Sequence, residues 1–350
     1  DQTYFSDGVT EEILALLARQ PGLRVISRTT SFSFKDSSQD IRAIAEKLDV
    51  EMVLEGSVRR AANQVRIMAQ LIDPARDAQL WSDQFDRELT DIFAVQGEIA
   101  RCIVNALNLD PDYCPETPAA TSEIEAYDYY LRGRQYFDIM SRSGMDFARQ
   151  MFEQAISIDP LFARAYAGLA NTESIVAQWF DHSPAVLQAA DRASRRALEL
   201  APNLAEAHSA RGFALTLNKD FDGAAEEFRR ALQLEPENYE ALYFFGRSRY
   251  AEGRMAEAAE LFRQAHEAQP DEFQAIALRE AALRTLGLND EHEQAMQLAV
   301  RSVLQRVELN PDDQRALSLG SGLLVGDGQL EKGLAMARKL LELAPNDPSA

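Results

Sequence analysis

The residues of this 350-residue chain that could do chemistry are four histidines, two cysteines, adjacent carboxylates, a glycine-rich heptad and a basic hairpin. His182, His208, His266 and His292 occur singly, in different stretches, with no partner at ligand spacing along a helix. A metal site needs several ligands brought together, and a triad needs a base beside a nucleophile, so the histidines point to neither. Cys102 and Cys114 lack the paired spacing of a zinc site; they are either incidental thiols or, in an oxidising compartment, a pair that a helix end and a turn could bring together. Glu11 and Glu12 are neighbours in sequence and point to different helix faces, which suits a solvated helix start better than acid/base work. GSGLLVG at 320–326 has the composition of a phosphate loop without the preceding strand such a loop requires, so it reads as helix packing. Arg59, Arg60 and Arg66 make a basic hairpin whose charges protect strand edges. No catalytic, cofactor-binding or metal-ligating residue is assigned.

Charge narrows the partners further. Lys and Arg number 36 against 56 Asp and Glu, a formal net charge of −20, and the acidic excess runs through both halves of the chain. Such a surface repels phosphate backbones and anionic lipid headgroups, so neither nucleic acid nor a membrane surface is an expected partner. Hydrophobic residues at 46% and charged residues at 26% describe a folded chain with room for two domains. No run of about 18 apolar residues occurs. The chain begins with Asp1, which is expected of a piece of a longer protein.

What must position any site is a repeat. EFRRALQLEPEN at 227–238, LFRQAHEAQPDE at 261–272 and ASRRALELAPNL at 193–204 are near copies. The prolines that follow each apolar pattern, Pro160, Pro202, Pro236, Pro270, Pro311 and Pro345, are separated by 42, 34, 34, 41 and 34 residues. A 34-residue period with two insertions is the signature of stacked helix pairs. Small residues fall where helices approach closely (Gly212, Ala224 and Ala231, then Gly246, Ala258 and Ala265), Phe228 and Phe262 fill the gap, and Glu252-Gly253 makes a turn. Each pair alone leaves an apolar face wet, so the core is shared between neighbours. This pattern resembles the tetratricopeptide repeat over about residues 123–348, in six units. The second carries its insertion around Trp179, Phe180, Asp181 and His182, a second candidate contact; the fifth and sixth depart from the pattern at Arg279-Glu280 and at Ala337.

Before residue 115 the period changes. GLRVISRT, VEMVLEGSVRR, QVRIMAQLID and AQLWSDQFDR are β-rich, whereas VTEEILALLAR, QDIRAIAEKLD and LTDIFAVQGEIARCIVNAL have helical spacing. The order is helix, strand, helix, three strands, helix, with turns at Ala61–Asn63 and Pro74–Asp77 and with Asp7 or Thr10 capping the first helix. YFSDGVTEEILALLARQPGLRVISRTTSFSFKD, IAEKLDVEMVLEGSVRR and LWSDQFDREL together are similar to the amino-terminal domain named after TolB, as it occurs fused to tetratricopeptide repeats in bacterial signalling proteins. The expected fold class is therefore α+β in two domains: a small α/β domain at 1–109, a linker at 110–122, and an all-α repeat superhelix of about six helix pairs at 123–350.

The resemblance implies that the first helix of each pair lines a concave groove. Mapped unit by unit, its positions are Tyr130, Arg134 and Phe137, then Arg164 and Asn171, then Phe213, then Tyr243, Arg247 and Tyr250, then Arg284. Aromatic and arginine side chains dominate binding hot spots, so the groove is expected to hold a protein or peptide ligand, with no cofactor. The family architecture further implies the regulatory carboxy-terminal portion of a class III adenylate or guanylate cyclase or a winged-helix regulator. The chain itself is then non-enzymatic. It would lie on the periplasmic side of the inner membrane if tethered and in the cytoplasm otherwise. The alternatives are a homodimerisation module of a transcriptional regulator and an enzyme with a site between the domains.

Overall fold

The computed structural model describes residues 3–20, 22–35, 39–61, 63–110 and 121–343. Cys114, most of the expected linker, Ala62 of the first turn and Pro345 lie outside the described residues. Contacts divide the chain into two compact units, Asp1–Gln135 with Gln154–Phe162, and Tyr136–Glu153 with Ala163–Ala350.

In the first unit, β1 (Val53–Ala61), β2 (Gln64–Asp73) and β3 (Ala78–Glu88) form an antiparallel meander in the order β1-β2-β3. β2 alternates strictly: Val65, Ile67, Ala69 and Leu71 are buried while Arg66 and Met68 face solvent, the period-2 signature of a sheet with one covered face. The cover comes from α1 (Thr3–Ala18), through Phe5, Val9, Ile13 and Leu16, and from α4 (Ile92–Ala106), through Ile92, Val95, Ile99 and Ile103. Asp40 caps α3 (Ile41–Leu48), its Oδ1 accepting from the Arg42 N–H at 3.0 Å. α5 (Ile124–Asp138) contributes its first three turns to this unit. There Tyr127 and Leu131 are buried, the Gln96 amide donates to the Tyr127 hydroxyl at 3.0 Å, and Phe93 meets the Tyr127 ring edge-on at 4.6 Å.

Three sequence expectations are corrected here. GLRVISRT is not a strand: residues 23–27 run without pairing, and α2 (Arg28–Phe32) begins after Ser27, whose Oγ accepts from the Thr30 N–H. β-branched residues make a strand only where a neighbour supplies hydrogen bonds, and the three-stranded sheet supplies none to this segment. Neither Asp7 nor Thr10 caps α1, which starts a turn earlier because Phe5 already belongs to its buried face; the Thr10 hydroxyl instead donates back to the Ser6 carbonyl. Glu11 and Glu12 are consequently mid-helix, and Glu11 pairs with Arg28 and Arg134. The turn at Pro74–Asp77 forms as expected, with Asp77 at φ 55°, and Arg66 pairs across the sheet with Asp86 at 2.5 Å.

The second unit continues as antiparallel helices: α6 (Arg142–Ile158, to Glu153 in this unit), α7 (Ala163–Trp179) and α8 (Pro184–Leu200), α9 (Ala205–Leu217) and α10 (Phe221–Leu234), α11 (Tyr239–Glu252) and α12 (Met255–Ala268), α13 (Phe273–Leu286) and α14 (Asn289–Leu309), α15 (Gln314–Gly326) and α16 (Leu330–Leu343). Helices α7 to α16 form five such pairs, and α5 and α6 precede them in the chain. Each glycine at the close approach faces a ring: a Cβ on Gly212 would lie 2.9 Å from Phe228, and one on Gly246 would lie 2.7 Å from Phe262. Both phenylalanines are fully buried. Gly253 ends α11 at φ 86°, the left-handed conformation the turn requires. The two long periods are long because helices lengthen: α7 and α8 have 17 residues each and α14 has 21, against 13 and 14 for α9 and α10. GSGLLVG lies within α15, where Gly320 packs against Val303 and Met336.

Candidate functional site

First helices touch one another where α7 meets α9, α9 meets α11 and α13 meets α15, while each second helix packs on its own first helix and also reaches the first helix of the next pair. The first helices therefore form the closely spaced layer of the second unit, and the candidate residues on that layer converge on α11. Tyr243 and Phe213 are buried, with Phe137, Trp179 and Tyr250 packed half-buried against the same apolar cluster. Phe213 stacks on Phe244 at a centroid distance of 4.3 Å, and Tyr243 stacks on Tyr239 at 5.7 Å. The Tyr239 hydroxyl donates to Gln274 Oε1 at 3.2 Å, and burial pushes this phenol well above its ordinary pKa, with the nearby Glu272 acting in the same direction.

Arg247 lies one turn along from Tyr243. Its guanidinium carbon is 5.6 Å from the centroid of the Trp179 ring and 5.6 Å from that of Tyr243. It makes no hydrogen bond or ion pair with any described residue. An aromatic face attracts a cation through its quadrupole and leaves the guanidinium edge, with its N–H donors, available.

The remaining candidates fall elsewhere. Tyr130 and Arg134 belong to the first unit, where Tyr130 is 1% exposed against Phe162 and Arg134 pairs with Glu11. Arg164 is buried in a two-pronged pair with Glu206, Nε and Nη2 each 3.1 Å from a carboxylate oxygen. Arg284 is exposed, its Nε 3.6 Å from Glu280. Asn171 is half-buried, and its enclosed Oδ1 has no hydrogen-bond partner among the described residues. Phe137, Phe213, Tyr243, Arg247 and Tyr250 are thus brought together, and Trp179 joins them. Sequence reasoning had singled out Trp179 as a loop contact; the signal that links it to Arg247 is the lengthened α7 that carries it.

The histidines stay apart. His208 bonds Glu227 at 2.6 Å and the Pro202 carbonyl at 2.9 Å, and His182 lies 2.5 Å from the Ala177 carbonyl. Burial lowers the pKa of His266, and Arg279 adds to the effect. Among the described residues no group of three or more His, Cys, Asp or Glu is placed to hold a metal. Cys102 is a free, half-buried thiol whose pKa is raised by burial. No helix among the described residues is long and apolar enough to cross a membrane.

Comparison with known proteins bears on the fold. Residues 215–282 match the family model of the tetratricopeptide repeat. A protein of Rhizobium meliloti (strain 1021), named "Putative adenylate cyclase 3", is 38% identical over 230 residues, which is 64% of this chain and 39% of that protein. The chain thus spans well under half the length of this relative. The human IFIT1 dimer with m7Gppp-AAAA superposes with a TM-score of 0.52 at 17% identity, covering 72% of this chain and 56% of its own. A monomeric IFIT1 mutant with Gppp-AAAA gives 0.51 at 15%, covering 71% and 55%. At such identities these two structures share the fold of this chain.

Proposed function

We propose, on the premise that the helix hairpins of this chain are tetratricopeptide repeats, that the layer of first helices forms a groove for a protein or peptide segment carrying an acidic group. The observation behind this reading is Arg247. Among the described residues this guanidinium has no carboxylate partner, and its carbon lies 5.6 Å from the ring centroids of both Trp179 and Tyr243. Rings hold the cation in place, and its planar fork of donors matches a carboxylate. Tyr250 and Phe137 pack against the same apolar cluster as Tyr243, and such rings supply binding area at low entropic cost.

The segment at 1–109 then acts as a TolB-like regulatory domain and the repeats at 123–350 as the receptor, with 110–122 between them. The chain catalyses nothing itself and belongs to a longer bacterial signalling protein; the Rhizobium relative suggests an adenylate cyclase. The test is fluorescence polarisation with a library of acidic, aromatic-containing peptides, comparing the native chain with Arg247→Gln and with Arg247→Gln/Tyr243→Ala. Loss of a charge-assisted pair weakens binding by about tenfold or more. Unchanged affinity in the double variant removes the groove. In the parent protein, Arg247→Gln should also alter the response of the output activity to the same peptide.

The rival reading is self-association. Leu330, Leu334 and Leu341, at i, i+4 and i+11 along α16, are 54%, 43% and 53% exposed. Sedimentation over a wide concentration range, with Leu334→Glu as the comparison, separates a dimer from a monomeric receptor.

A further inference from the structure

The lengthened second hairpin creates a feature the groove does not use. Between α6, α7 and α8 lies an open cavity of about 260 Å³. One wall is apolar, made by Val176 in the last turn of α7, by Phe180 just after it and by Ala185, Val186 and Ala189 in the first turns of α8. The other wall is charged. α6 presents Arg142, Asp146 and Arg149 at i, i+4 and i+7, so all three lie on one helix face. Arg149 is fully engaged: Nε and Nη2 stand 2.5 and 3.0 Å from the two oxygens of Glu173, and Nη1 stands 3.2 Å from Asp146. Glu173 is 6% exposed, so this pair forms a fixed, neutral floor.

Around that floor the charges are less satisfied. Arg142 makes no hydrogen bond or ion pair with any described residue. Asp146 remains 54% exposed beyond its single contact with Arg149. Asp181 accepts the Ser183 N–H at 2.9 Å, which anchors it at the mouth. Among the described residues the cavity thus offers a cation with no hydrogen bond or ion pair, whose field reaches Asp181, and two accessible carboxylates, beside a wall of small apolar side chains.

We propose that this cavity binds a free α-amino acid with a short apolar side chain. Its carboxylate meets Arg142, its ammonium sits between Asp146 and Asp181, and its side chain packs on Val176, Phe180 and Val186. Other ligand classes fit less well. A simple carboxylic acid leaves the two aspartates facing it without a cation, and a simple amine leaves Arg142 unmatched. A residue within a peptide chain has neither charge. Two arginines and three acids give the lining a formal charge of −1, so a dianion is disfavoured and a zwitterion adds no net charge. The volume lies below the roughly 300–1,000 Å³ of sites for drug-sized molecules, which suits a ligand of about ten non-hydrogen atoms or fewer. The cavity is a product of the 42-residue period: it needs the 17-residue α7 and the loop 180–183, which the 34-residue hairpins lack.

The test is isothermal titration calorimetry of the whole 350-residue chain with L-valine, N-acetyl-L-valine and L-valinamide. L-Valine is expected to bind saturably at millimolar concentrations or below. Removing either charge of the ligand, or substituting Arg142→Gln, is expected to weaken binding about tenfold or more, the value of one charge-assisted hydrogen bond. Ala189→Trp fills the cavity and abolishes binding. Arg142 is exposed and should be replaceable without unfolding, which circular dichroism verifies; if Ala189→Trp perturbs folding, Val186→Phe serves in its place. Binding by native protein must survive Arg247→Gln, which separates this site from the peptide groove. No heat with L-valine at millimolar concentrations, equal binding of N-acetyl-L-valine, or native affinity in the filled variant overturns the proposal.

Discussion

Gly246→Ala adds a methyl group where the structure has no room for one. The new Cβ would lie 2.7 Å from Cε1 and 2.8 Å from Cδ1 of Phe262, whereas ordinary contact begins near 3.4 Å. The ring is completely buried, so it must move by more than half an ångström against Tyr243, whose centroid is 6.2 Å away. Overpacking of this kind costs about 1–3 kcal/mol, and the better helix propensity of alanine returns roughly 1 kcal/mol. The expected net loss is about 1 kcal/mol. Gly322→Ala is the matched control: it too is helical, but its Cβ meets nothing within 4 Å, so only the propensity gain remains, about 0.5–1 kcal/mol of stabilisation. Urea unfolding followed by circular dichroism measures the difference between the two variants, about 2 kcal/mol. Hydrogen exchange in α11 and α12 locates it, because stacked hairpins open locally. In the Gly246→Ala background, Phe262→Leu should cost less than it does alone. The reasoning fails if Gly246→Ala stabilises as much as Gly322→Ala.

Arg164→Gln leaves Glu206 without its two-pronged partner; because Glu206 is 24% exposed, water recovers part of the loss, and a decrease of about 1–3 kcal/mol in urea unfolding is expected. Hydrogen bonds from Arg263 hold the Glu260 carboxyl at a pKa of about 2, below its ordinary 4.5. A depressed folded-state pKa gives stability that is present above pH 4.5 and lost as pH falls through 2. Glu260 is half-exposed, so the pair is worth only about 0.5 kcal/mol. Arg263→Gln should therefore show a small deficit at pH 7 that vanishes by pH 2, and a deficit persisting at pH 2 would show that the guanidinium acts by packing.

How much could be read in advance follows from what each residue needs. The hairpins were legible because Gly212, Gly246, Phe228 and Phe262 are dictated by contacts inside one repeat, and the repeat states them several times. Residues 22–29 were misread because β-branched Val25 and Ile26 satisfy local propensity, whereas a strand requires a neighbour that sequence does not reveal. The placement of the aromatic candidates on first helices was equally legible, since Phe213 lies 34 residues before Arg247, between Tyr243 and Tyr250 on α11. The arginines of the candidate site were not. Whether a guanidinium is available depends on an acid far away in the chain: Arg134 finds Glu11 at a separation of 123 residues, and Arg164 finds Glu206 at 42, while Arg247 finds none among the described residues. The cover over Arg247 was hidden for a related reason, because Trp179 sits in an insertion and has no counterpart in the other units.

The first three turns of α5 raise the question of where one folding unit ends. Asp128 accepts hydrogen bonds from the Tyr4 hydroxyl at 2.8 Å, from Arg60 at 2.9 Å and from Arg132 at 2.8 Å, so α1, β1 and α5 meet on a single carboxylate. Leu131 crowds Gly8 so closely that a Cβ there would fall 2.5 Å from its methyl carbon. Tyr127, Tyr130 and Leu131 are at most 2% exposed, and each contributes about 1.5–3 kcal/mol by burial. Their removal thus costs about 5 kcal/mol or more, comparable with the whole stability of a small domain, about 5–15 kcal/mol. A fragment of residues 1–110 should lose its cooperative thermal transition, while 1–162 should keep one. If 1–110 melts as sharply and at the same temperature, then α5 adds contacts without adding stability, and the functional division at 109 is also the folding division.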